Sequence, residues 1–229
     1  MNWNYIGLLF ITVVALIIGI VVHESAHALT AYILGDRTAQ SRGRVSLNPL
    51  HHIDPFGTVL LPLLMIVAGG PVFAFAKPVP VYLGNLKHPK RDEVLVALAG
   101  PVSNIALAFI GACLLRLLAG NTQLLTDSFG AQVAALASTF LFRFMSINLS
   151  LAFFNLIPLP PLDGSSILVP FLRGQALRTY YQIQRYAMPI LIIVLYLLPS
   201  VLHIDLVGIY FNFTLYPLLN ALLAFSLGW

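Results

Sequence analysis

Six apolar stretches dominate the chain, and the places where they break are as informative as their content. Residues 5 to 22 contain no charged side chain, and the apolar pattern continues through Ala28, Leu29 and Ala31 to Leu34, where Gly35-Asp36 supplies a helix stop. One long helix from about 4 to 34 is predicted. A second stretch, 56 to 76, is broken by Gly69-Gly70-Pro71, and a third, roughly 92 to 119, carries Gly100-Pro101 in its first half. The fourth runs from about 131 to 157 and ends in the cluster Pro158, Pro160, Pro161. Two more, near 183 to 202 and 206 to 227, are separated by Pro199 and the turn His203-Ile204-Asp205. Helix breakers inside a membrane are tolerated only where the freed backbone groups face protein or a wet cavity. The substantial polar connectors are 42 to 54 and 77 to 91, and Lys77-Pro78-Val79-Pro80-Val81-Tyr82 alternates as an edge strand does. The expected fold is an all-α polytopic membrane protein. It has about five transmembrane helices, one re-entrant or partial membrane segment and a short β or extended element. A single domain over 1–229 is expected, with a core of about 4–172 and a C-terminal helical pair of about 183–227.

Composition strengthens this picture. The 229 residues are 59% hydrophobic and 9% charged, with mean hydropathy +0.90, whereas a soluble domain carries about 25% charged residues. The net charge of +4 does not point to nucleic acid, because the Lys and Arg residues sit in short clusters between apolar runs. Residues 1 to 4 carry no positive charge and no small-residue cleavage site follows, so the first run is expected to remain in the mature protein. The single cysteine, Cys113, excludes a disulfide framework and a thiolate zinc site. Any metal must bind through His, Asp or Glu.

His23-Glu24-Ser25-Ala26-His27 meets that requirement. Imidazoles at i and i+4 share one helix face and can reach one zinc ion, and the glutamate between them is placed to take a proton from zinc-bound water. Catalytic zinc takes three protein ligands and keeps a fourth position open. The only other glutamate is Glu93, in the basic connector Lys90-Arg91-Asp92-Glu93. Among the aspartates Asp163 stands out, because it follows the fourth apolar stretch and the rigid Pro158-Leu159-Pro160-Pro161-Leu162 run and precedes Gly164. The alternative for Asp163 is a helix N-cap for Ser165 onward. His51, His52, His88 and His203 read as solvated loop or interfacial residues.

Three blocks carry a family resemblance: His23-Glu24-Ser25-Ala26-His27, Ala99-Gly100-Pro101-Val102-Ser103-Asn104, and Asn155-Leu156-Ile157-Pro158-Leu159-Pro160-Pro161-Leu162-Asp163-Gly164. In this order the chain resembles the site-2 proteases, intramembrane zinc metalloproteases. The connector Gly43-Arg44-Val45-Ser46-Leu47-Asn48-Pro49, with Asp54-Pro55-Phe56-Gly57-Thr58, is similar to the compact bacterial and archaeal branch that lacks a PDZ domain. The resemblance implies one Zn2+ per chain on His23, His27 and Asp163, with Glu24 as general base. It also implies Asn104 and Asn155 near the scissile peptide, where an amide could support the oxyanion; interhelical hydrogen bonding is the alternative for both.

Charge distribution sets the expected topology. If His23, His27 and Asp163 share a metal, the chain crosses the membrane an even number of times between residues 34 and 163. Stretch 56 to 76, with its Gly-Gly-Pro break, is then the re-entrant one. Ten of the twelve basic residues fall on one side, and loop 117 to 130 on the other has none. The positive-inside rule makes the basic side cytoplasmic, with the N-terminus outside and the C-terminus and site opening inside, in a prokaryotic inner membrane. The expected function is cleavage of transmembrane protein substrates within the lipid bilayer, in regulated proteolysis or clearance of signal-peptide remnants. Val79 and Val81 are expected to pair with the unwound substrate. A metal-ion transporter using the His/Asp site is the rival reading, and Glu24 separates the two, since only hydrolysis needs a base there. Neither oligomeric state nor substrate identity is encoded in these patterns.

Overall fold

The computed structural model describes residues 3–54, 57, 60 and 77–228, with side chains from residue 6 onward. Among them there is helix and no strand. The expected re-entrant segment, 56 to 76, lies outside the described residues apart from Gly57 and Leu60.

Helix α1 spans Trp3–Ile33. Its apolar part, Ile6–Ile33, is 28 residues, or about 42 Å at 1.5 Å per residue, enough to cross a hydrocarbon core of about 30 Å with tilt. The helix stops as the sequence predicts. Gly35 takes φ +112, and Asp36 N–H returns to the Ala31 carbonyl at 2.9 Å, closing the last turn. Helix α2, Pro89–Gly120, starts with proline in its first turn, where a missing N–H costs nothing. The His88 N–H donates to Asp92 Oδ2 at 2.8 Å, so a buried carboxylate meets the positive end of the helix. The short helix α3 (Thr122–Phe129) leads to α4 (Ala131–Asn155). A proline-rich turn and a 3-10 helix, Asp163–Phe171, follow. Helix α5 runs over Gly174–Leu202 with a 3-10 turn at Gln184–Tyr186 and a π turn at Ile193–Leu197. Helices α6 (Leu206–Phe213) and α7 (Leu215–Leu227) meet at a bend of 43°.

Small residues let the helices close. Ala15, Ala28, Ala31, Ala108, Ala112 and Ala152 have no exposed surface, and a Cβ on Gly19 would lie 2.8 Å from Leu151 Cδ1. Backbones approach closely at such positions, which is how helices gain packing contact where lipid removes the hydrophobic drive. Ala108, Ala112, Met145, Leu149, Leu215 and Leu222 form the core that joins α2, α4 and α7. The outer surface is apolar too: Phe10, Val102, Leu117 and Val133 are each more than half exposed. Such a surface suits a bilayer as solvent.

The two ends of the bundle differ. Helix α1 runs antiparallel to α2, because Gly19 and His23 meet Asn104 while His27 meets Val96. Helix α7 ends beside the later part of α2. Arg116 donates to the Phe225 carbonyl and stacks over the Phe225 ring at 4.7 Å, and Ser226 Oγ donates to Ala112 O at 3.1 Å. The start of α1 and the end of α7 therefore share one end of the bundle, remote from the histidines. The sequence predicts N- and C-termini on opposite sides, whereas these contacts bring the start of α1 and the end of α7 to one end of the bundle. The physical reason is α5. Its first turns bond to α2 and the 3-10 helix near Glu93 and Ser165, and its later residues Leu191, Val194 and Leu195 pack with Phe154, Leu162 and Leu206. Both contact regions lie at the histidine-bearing end. Only 11% of the most apolar part of α5 is buried inside the protein, against 28 to 39% for α1, α2 and α4. Helix α5 is nevertheless apolar and long enough to span.

Candidate active site

His23 and His27 stand one turn apart on α1, with rings 4.6 Å apart and nearly perpendicular. Both are buried. Their Nδ1 atoms face acceptors: Asn104 Oδ1 at 2.5 Å for His23 and the Val96 carbonyl at 2.7 Å for His27. Acceptors there place the hydrogens on Nδ1 and leave a lone pair on each Nε2, the form in which imidazole binds metal. The Asn104 amide is itself oriented, since its Nδ2 donates to Gly19 O at 3.1 Å and to Asn148 Oδ1 at 2.9 Å. Asn148 in turn donates to Phe144 O.

The proline-rich turn brings Asp163 to this pair. Asp163 Oδ2 lies 3.1 Å from His23 Nε2 and 3.4 Å from His27 Nε2. It is a buried oxygen with no hydrogen-bond donor. The N-cap alternative does not apply, because Leu162 occupies the cap position of the 3-10 helix and Asp163 is its first residue. Three metal-ligating groups, His23, His27 and Asp163, thus converge with ligand atoms within 4.8 Å of one another, a set that could hold a metal ion. The spacing fits zinc, since bonds of about 2.0 to 2.1 Å in a tetrahedron give edges of about 3.3 Å.

The neighbouring backbone leaves room for an ion. A Cβ on Gly100 would lie 2.6 Å from His23 Nε2 and closer still to His27 Nε2. Pro101, next to it, has no N–H to return to the Ala97 carbonyl, and α2 nonetheless continues through it. On the far side a Cβ on Gly164 would collide with the Leu156 carbonyl. Gly100 is therefore constrained by close approach of backbone to the histidines, and Gly164 by close approach of backbone to backbone in the proline-rich turn.

A cavity of about 560 Å³ opens beside the cluster, lined by Glu24, Val79, Val81, Phe154, Asn155 and Tyr181 among others. Glu24 is half-buried and faces this space. Asn155 lines it too, with Nδ2 donating to Leu151 O at 2.9 Å. Asn104 does not. It has no exposed surface and both ends of its amide are occupied, so the expectation that it faces the scissile peptide is corrected to a place behind His23. Val79 and Val81 border the cavity, in extended chain rather than in a paired strand.

Other residues carry the site without having been singled out by sequence. Asp36 is fully buried and accepts from Thr38, Asn85 and the Tyr82 N–H, which pins the extended segment to the end of α1. Burial opposes its charge, but the hydrogen bonds from Asn85, Thr38 and Tyr82 hold its carboxyl below the usual range. His52 departs from the expected solvated state. It is buried, with Nε2 2.7 Å from the Ser46 carbonyl and 3.3 Å from Ser25 Oγ. It docks the 42 to 54 connector on the histidine-bearing turn of α1. His51, His88 and His203 are exposed. A polar residue in a loop gives no local sign of such tertiary partners.

Comparison with known proteins points the same way. A sequence model of peptidase family M50 matches residues 11–198. Three relatives carry the name "Putative zinc metalloprotease". YwhC of Bacillus subtilis is 41% identical over 213 residues, 91% of this chain and 85% of that one. Rip2 of Mycobacterium tuberculosis is 31% identical over 196 residues, 86% of this chain and 70% of that one. An archaeal relative, from Methanocaldococcus jannaschii, is 30% identical over 167 residues, 72% and 73% of the two chains. No solved structure matches.

Proposed function

This chain belongs to peptidase family M50, and we propose that it is an intramembrane endopeptidase that holds one zinc ion on His23, His27 and Asp163 and cuts transmembrane protein substrates. The observation that carries this reading is the convergence of His23 Nε2, His27 Nε2 and Asp163 Oδ2 beside Glu24, at the edge of a largely apolar cavity. Family membership and the histidine–glutamate arrangement give no support to the transport reading.

Zinc, when bound, supplies Lewis acidity that activates water and polarises the scissile carbonyl. Glu24 takes the proton of the attacking water and passes it to the leaving amine, which requires the carboxylate to face the cavity, as it does. Asn155, which lines the cavity, would supply an amide donor to the developing oxyanion. A helical substrate hides its carbonyls, so it must unwind before attack. The segment 77 to 82 offers a partner for the unwound strand. Pro78 and Pro80 carry no N–H, the Lys77 N–H donates to His52 O at 3.0 Å, and the Tyr82 N–H donates to Asp36 at 2.7 Å. Among the described residues the Val79 and Val81 N–H groups have no acceptor, and they stand two residues apart on one edge of an extended chain.

The basic residues near the site make its end of the bundle cytoplasmic by the positive-inside rule. Both termini then lie outside. The test of function is cleavage of a single-span substrate by the purified protein in liposomes. Wild type is expected to cut within or beside the span, and Glu24→Gln to lose about 10²- to 10⁴-fold in rate with the fold intact. Equal cleavage by the two proteins would overturn the reading.

A further inference from the structure

The cavity holds three carboxylates. Glu24 and Asp163 belong to the site, and the third, Glu93, has no role in the chemistry above. Glu93 lies in the second turn of α2, Tyr181 OH donates to its Oε2 at 3.1 Å, and the Ser166 side of the 3-10 helix lines the same cavity. No Lys or Arg among the described residues pairs with it. The nearest basic side chains in sequence are committed elsewhere, Lys90 Nζ to the Leu172 carbonyl at 2.7 Å and Arg91 Nε to Asp92 at 3.5 Å. A carboxylate beside apolar walls, held by one neutral hydroxyl, lacks a counter-charge among the described residues. The walls around it, Val79, Val81, Val96 and Met188 among them, provide none.

Its distance from the site is set by the helix. Glu93 precedes Gly100, which lies against both Nε2 atoms, by seven residues on α2, about 10 Å at 1.5 Å per residue. An extended peptide covers that length in about three residues. The direction is toward the start of α2, the end of the bundle where the chain's own basic residues gather. Membrane-spanning substrates carry their flanking Lys and Arg on the cytoplasmic side, so a substrate reaching the site from that end brings a cation past Glu93.

From this we infer that Glu93 is a specificity-determining residue that binds a Lys or Arg side chain of the substrate about three residues from the scissile bond. The inference rests on the peptidase reading. It accounts for a charged residue that neither zinc binding nor proton transfer uses. A purely structural role, pinning α5 through Tyr181, is the competing explanation, and Glu93→Gln separates the two because Gln keeps an acceptor for Tyr181 while removing the charge.

The experiment measures binding of labelled model transmembrane peptides to the zinc-loaded, full-length Glu24→Gln protein in nanodiscs. Each peptide carries one Lys, Gln or Glu, stepped through the cytoplasmic third of the span. At one register the Lys peptide is expected to bind at least about tenfold tighter than the Glu peptide. That preference should fall below about twofold in Glu24→Gln/Glu93→Gln and reverse in Glu24→Gln/Glu93→Lys, with zinc content unchanged as the check on folding. Equal discrimination with and without the Glu93 charge, or no discrimination at any register, overturns the proposal. Wild-type protein is then given the preferred Lys peptide, and the cut is expected about three residues from the Lys. If Glu93-dependent binding holds while wild type leaves every peptide intact, the peptidase reading fails and the cation site stands. If wild type cleaves without reading the charge, the reverse is true.

Discussion

Gly100 carries no side chain because two imidazole nitrogens occupy the space where one would be. Gly100→Ala is therefore expected to abolish zinc binding, and retention of one zinc per chain in that variant would show that the ion lies elsewhere. Asn104 acts one step further back. Its oxygen fixes the His23 tautomer and ring, and its own amide is held by Gly19 and Asn148. Loss of such a partner typically weakens metal binding about 10- to 100-fold, which is the expected effect of Asn104→Leu in a zinc competition titration. Asn104→Asp, which keeps the acceptor, is expected to lose less. Equal affinity in wild type and Asn104→Leu would remove Asn104 from the site. The histidines and glutamate were legible in the sequence because i, i+4 spacing on one helix dictates their geometry. Asn104 was legible as a site residue but not in its role, since whether an amide faces a cavity or a histidine depends on which neighbouring helix it meets.

Elements repeat this pattern. The ends of α1, α2 and α4 follow from Gly35-Asp36, Pro89 and the proline run after Asn155, local signals that act within a few residues. The extended segment 77 to 82 has no such local cause. It owes its position to Asp36 and His52, contributed by the first helix's end and the preceding connector. The low Asp36 pKa keeps this clamp charged at neutral pH, and the stability it gives is lost only as pH falls through that depressed value. If Val79 and Val81 pair with substrate through their N–H groups, Val79→Pro or Val81→Pro removes a donor while keeping φ near an extended value. Each is expected to lower cleavage about tenfold or more. Unchanged cleavage in both would show that this segment borders the cavity without binding the peptide.

On the scale of the whole molecule, hydropathy counted spans but could not tell a crossing helix from one lying along one end. Helix α5 is long and apolar enough to cross, and its contacts hold it at the site-bearing end. If α5 lies along that end, the chain crosses with α1, α2, α4 and the bent pair α6 and α7. That arrangement puts the C-terminus with the N-terminus, outside the cell if the basic side is cytoplasmic. A reporter fused after Trp229 that is active only outside the cytoplasm is expected to give signal, while one active only in the cytoplasm stays silent. The opposite pattern would mean that α5 crosses after all. The basic residues Arg173, Arg178 and Arg185 keep their side in either case, so composition alone does not decide between the arrangements.

The central claim is that three side chains brought together by α1 and the Asp163 turn hold one zinc ion. It is tested most directly by elemental analysis of detergent-purified wild type beside Glu24→Gln and Asp163→Ala. One zinc per chain is predicted in wild type and Glu24→Gln, with clearly less in Asp163→Ala. Full zinc in Asp163→Ala would contradict the ligand set and the geometry built on it.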